Sequence, residues 1–62
     1  MCEANVYLID ENGETNLLLD AVDKVIPDGN DQIYLENIYG ERKTVKARIK
    51  RLELVDHKVI LE

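Results

Sequence analysis

The chain has 62 residues, of which 45% are hydrophobic and 34% charged, and its thirteen acids against eight bases give a formal net charge of -5. That length makes one domain over residues 1–62 at most, and a domain so small stays marginal unless something staples it, which the single cysteine cannot do as a disulfide within the chain. The negative charge disfavours nonspecific attraction to nucleic acid or anionic lipid and mildly favours a cationic partner such as a metal ion.

Residues 1 to 9 carry Glu3 and Asn5 without a basic start, so no signal peptide is expected there. The longest apolar run, Leu17-Leu18-Leu19, is too short to span a membrane. A lone cysteine in a short chain points to a reducing compartment, and a cytoplasmic location is expected. The run Asn5-Val6-Tyr7-Leu8-Ile9-Asp10 is rich in β-branched and aromatic residues, and Asp10-Glu11-Asn12-Gly13 follows as a hairpin turn. Glu14 to Leu19 is the returning strand, broken at Asp20 before Ala21 to Ile26. The spacing of Leu18, Ala21, Val22 and Val25 also suits a helical turn, so the sequence leaves both readings open over 17–26.

Pro27-Asp28-Gly29-Asn30-Asp31 has the strongest turn chemistry in the chain. Gln32 to Tyr39 then alternates as a strand with Ile33 and Leu35 on one face, Tyr34 and Glu36 on the other, and Gly40 as its stop. Arg42 to Ile49 alternates too, with Arg42, Thr44, Lys46 and Arg48 on the wet side and Lys43, Val45, Ala47 and Ile49 on the other. The inward phase shifts between Ile49 and Leu52, which predicts a bulge near Lys50-Arg51 that keeps Leu52 and Leu54 facing inward. Val55-Asp56-His57-Lys58 reverses the chain into a closing strand, Val59-Ile60-Leu61. Five to seven short strands without a long helix predict an all-β protein: a small, strongly bent antiparallel sheet or SH3-like barrel.

The opening Met1-Cys2-Glu3-Ala4, the Val/Tyr/Leu strand after it, the Asp10 to Gly13 turn and the Tyr39-Gly40-Glu41 corner resemble the CooT family over essentially the whole chain. These are small nickel-binding proteins associated with maturation of carbon monoxide dehydrogenase, and some members have carried the label "predicted RNA-binding protein". The resemblance implies an SH3-like fold, a homodimer, one Ni(II) held between the two copies of Cys2, and a nickel enzyme or its maturation factors as partners. The chain lacks the histidine-rich tail of better-known members, so no nickel store is implied. The Met-Cys-x-Ala start also looks like the hydrogenase-maturation chaperones of the HypC type, although their Met-Cys-x-Ala-x-Pro pattern is not met by Asn5-Val6.

Cys2 carries the clearest chemistry, because a thiol beside a terminal or backbone nitrogen closes a small chelate ring on a soft or borderline metal. One such arm fills half of a square plane. Two arms related by a two-fold axis give N2S2, which suits Ni(II) or Cu(II) better than structural Zn(II), and predict one metal per dimer. The plain alternative is a small apolar residue that opens a strand. His57 reads as a solvated turn residue, a group supporting a ligand or an alternative ligand, and Glu3 as a solvated acid whose side chain points away from the thiol.

Arg42, Lys43, Lys46, Arg48, Lys50 and Arg51 are six of the eight positive charges. They offer an alternative function as an RNA- or protein-docking strand, with Arg42, Lys46, Arg48 and Lys50 as the surface. No aromatic interleaves them, so the stacking platform of a single-strand binder is absent and nucleic acid is the less favoured partner. No nucleophile has a base at recognisable spacing, and the chain reads as a non-enzyme.

Overall fold

The computed structural model describes residues 3–62, so the thiol assigned above to Cys2 lies outside the described residues. Among the described residues six strands and no helix are formed: β1 (Ala4–Ile9), β2 (Thr15–Asp28), β3 (Gln32–Asn37), β4 (Arg42–Lys46), β5 (Ile49–Glu53) and β6 (Lys58–Leu61). They make one sheet in the order β4-β3-β2-β1-β6-β5. The all-β architecture and the strand number are as the alternation predicted.

The sheet is not closed into a barrel, and it is not wholly antiparallel: β1 and β6 run parallel, with Val6 opposite Val59 and Leu8 opposite Leu61. The edges β4 and β5 are successive strands joined through Ala47 and Arg48, and they do not pair with each other: the chain passes extended from one edge of the sheet to the other. The joint is held across the gap, since Ala47 N–H donates to the Asp31 carbonyl at 2.9 Å and Arg48 and Glu62 exchange backbone bonds at 3.2 and 2.9 Å.

Residues 17–26, where a helical turn competed, are strand. β2 carries an extra residue at three places relative to its neighbours, between Leu17 and Leu19, between Leu19 and Val22, and between Val22 and Lys24. Each bulge bends the strand and raises its twist. β2 therefore pairs with β1 over its first half and β3 over its second. The residue before Val22, Ala21, sits at φ 52°, an uncommon conformation for a side chain with a Cβ.

The core is Val6, Leu19, Val22, Ile33, Leu35, Ala47, Val59 and Leu61. The predicted bulge in β5 is present, between Ile49 and Arg51. It does not turn Leu52 and Leu54 inward, however: they are 53% and 71% exposed. β5 is an edge strand, and its partner β6 already fills the interior with Val59 and Leu61.

Three surface carboxylates are held below their ordinary range. Asp10 is lowered by the Glu14 N–H, then by Asn16 and Asn12; Glu36 by the Tyr34 hydroxyl, then by Lys24 and Arg42; Glu53 by Arg51, then by Lys58. A lowered folded value means that the unfolded chain binds more protons, so this stabilisation is complete above the unfolded values and is lost as pH falls through the folded ones. Urea midpoints are expected to stay level down to the ordinary carboxylate values of 3.8 to 4.5 and to fall below them. Asp10→Asn should blunt that fall, and an unchanged acid limb in the variant would remove Asp10 from this account.

Candidate metal centre at the start of the first strand

The start of β1 is pinned from both sides. Asn5 N–H donates to the His57 carbonyl at 2.8 Å, and the Asn5 side-chain oxygen accepts the Ala21 N–H at 3.2 Å. Ala4 lies opposite Val22 on β2 and Asn5 opposite Lys58 on β6. Glu3 therefore leaves the sheet between the Asp20-Ala21 bulge and the Leu54–His57 turn.

Two depressions meet there. One of about 380 Å³ is lined by Glu3, Asn5, Asp20, Ala21 and His57, and one of about 310 Å³ by Glu3, Ala4, Val22, Leu54 and His57. The structure thus brings His57 and Glu3, which the sequence reads as separate solvated groups, to the rim of one site. The cue was the pairing of the first strand with the last. Once β1 and β6 run side by side, the residue before Lys58 must lie level with the start of the chain. His57 has φ 56°, held in the turn by its N–H to the Leu54 carbonyl at 3.1 Å and by its own carbonyl on Asn5.

The donor chemistry of this rim is incomplete by itself. It supplies an imidazole and carboxylates, yet no three His, Cys, Asp or Glu groups among the described residues are placed to hold one ion. A thiolate with a nitrogen donor is a set that fits Ni(II) or Cu(II), and the chain's only thiol, Cys2, precedes Glu3 by one residue in the sequence.

The basic residues are mostly engaged elsewhere. Arg42 pairs with Glu36 at 3.8 Å and Lys50 with Glu62 at 4.0 Å, while Arg51 bonds Glu53. Lys43 donates to the Leu18 carbonyl at 3.0 Å. Lys46 and Arg48 make none of the ion pairs among the described residues. Both β4 and β5 are sheet edges, where lysine and arginine discourage pairing with another chain's strand. The cluster is thereby divided between two edges.

Comparison with known proteins gives a consistent result. The family model described as CooT, CO dehydrogenase accessory protein CooT, matches residues 1–62. A crystal structure assigned to CooT from Carboxydothermus hydrogenoformans is similar at 49% sequence identity and a TM-score of 0.86, covering 98% of this chain and 95% of that one. No match was found among curated protein sequences.

Proposed function

The chain belongs to the CooT family of CO dehydrogenase accessory proteins, and from that premise we propose that it is a homodimeric nickel carrier for maturation of CO dehydrogenase. One Ni(II) is held between the two Cys2 termini as cargo. The observation that carries this reading is the pinned start of β1, where Glu3, one peptide bond from Cys2, shares its rim with Asp20 and His57. A tethered thiolate next to a backbone or terminal nitrogen offers two donors at little cost in chain entropy, and a second copy supplies the other two.

The residues of the rim set how the thiolate behaves. Cys2 must lose its proton to bind metal, so affinity falls as the solution is acidified. Carboxylates at Glu3 and Asp20 favour a cation over a neutral ligand. The carrier performs no catalytic step, and a cytoplasmic setting keeps the lone thiol reduced.

Native mass spectrometry of untagged protein with one equivalent of Ni(II), recording oligomer, metal count and retention of Met1, tests the reading. A dimer with one nickel is expected, and Cys2→Ser should abolish that peak while leaving the circular dichroism unchanged. Nickel binding undiminished in Cys2→Ser would sink the proposal and direct attention to Lys46 and Arg48 instead.

A further inference from the structure

Two backbone bonds fix which way the polar groups of β4 point. Ala47 N–H donates to the Asp31 carbonyl at 2.9 Å and Asn37 N–H to the Glu41 carbonyl at 3.0 Å, so the β3–β4 ladder is bonded through Glu41 at one end and Ala47 at the other. Between them the register runs without a shift, from Glu36 opposite Arg42 to Gln32 opposite Lys46. Bonded and non-bonded pairs alternate in an antiparallel ladder, so Lys43 and Val45 direct their N–H and C=O groups at β3 while those of Arg42, Thr44 and Lys46 point away from the sheet. β4 is thus a regular edge with its polar groups open along it. The other edge, β5, is interrupted by its bulge between Ile49 and Arg51.

We infer that β4 is a docking edge for an extended acidic segment of another protein, which adds to the sheet as a strand with carboxylates at alternate positions beside Arg42 and Lys46. Charge decides the occupant. Residues 42–51 hold six bases and no acid, whereas the rest of the chain holds two bases and all thirteen acids. Lys46 and Arg48 stand outside the ion pairs among the described residues, and Arg42 shares only the 3.8 Å contact with Glu36. Basic side chains on an edge deter a like-charged strand, and the sign of that effect reverses for an acidic one. A second copy is disfavoured on the same ground, since antiparallel pairing of two β4 edges about Thr44 would set Arg42 against Lys46. Side chains of the docked strand alternate as those of β4 do, so acids beside Arg42 and Lys46 bring apolar residues beside Val45, which packs on the core. The edge is two strands away from β1 in the sheet, and the inference is independent of the metal reading.

Titration of the protein with a blocked peptide of alternating glutamate and valine, followed by NMR hydrogen exchange of single amides, tests the inference. In the free protein the Arg42, Thr44 and Lys46 amides should exchange fast and those of Lys43 and Val45 slowly. The peptide should slow the first three. Added salt should weaken it, and the corresponding lysine–valine peptide should not bind. Lys46→Glu, at an exposed position, should raise the peptide's dissociation constant about 10-fold with unchanged circular dichroism. Thr44→Pro removes an outward donor and no bond to β3, and should abolish binding; if it fails to fold, Lys46→Glu decides alone. A saturating acidic peptide that leaves the three amides in fast exchange overturns the edge. Absence of acidic-peptide binding overturns the inference as well, and oligouridylate bound in its place, with affinity lost in Lys46→Glu, would assign the edge to nucleic acid.

Discussion

Leu35→Ala is expected to remove a large share of the folding free energy. Leu35 has no exposed surface, lies at the middle of β3 between Val25 of β2 and Lys43 of β4, and belongs to the same cluster as Val6 and Leu61. Truncating a buried leucine costs the transfer of the lost methyls plus the cavity they leave, about 2–5 kcal/mol. A chain of 62 residues at roughly 0.05–0.15 kcal/mol per residue holds only about 3–9 kcal/mol in all. Urea unfolding should show the midpoint falling steeply with little change in slope, and Leu35→Ile should cost under about 1.5 kcal/mol because volume is kept. A midpoint unmoved in Leu35→Ala would mean that β3 is not central to the core.

The contrast between β3 and β2 explains what was legible in the sequence. β3 is regular, so Ile33 and Leu35 alternate with Tyr34 and Glu36, and both faces could be assigned from the residues alone. β2 has bulges, and they place its inward residues Leu19, Val22 and Val25 three apart, which is close to the helical period. A period-based reading therefore could not separate a bulged strand from a helix there. The phase shift at Ile49 to Leu52 did reveal the bulge in β5, but the sequence does not mark which strands are edges. Leu52 and Leu54 were accordingly assigned inward although β5 has a neighbour on one side only. The same lack of long-range information hid the site. Cys2 was conspicuous by its position, whereas the gathering of Glu3, Asp20 and His57 depends on the parallel pairing of β1 with β6, and no local pattern encodes that pairing.

Asn37→Ala should cost about 1–3 kcal/mol and loosen the end of the sheet that carries Tyr39. Asn37 is the one buried polar residue in the described chain, at 2% exposure. Its side-chain oxygen accepts the Tyr39 and Glu41 N–H groups at 3.0 and 2.9 Å, and its amide donates to the Glu41 carboxylate at 2.7 Å. Its backbone adds the Glu41 and Gly40 bonds that close the same corner at 3.0 and 3.1 Å. Alanine leaves two N–H groups without that acceptor and a carboxylate without its donor. Glu41→Gln retains an oxygen acceptor for the Asn37 amide and should be close to neutral, which separates loss of the hydrogen bonds from loss of the charge. Hydrogen exchange at Tyr39 and Glu41 is the direct readout, because their amide protons are the ones Asn37 holds; both should exchange faster in Asn37→Ala and stay protected in Glu41→Gln. Equal protection in both variants would mean that the backbone bonds alone maintain the corner.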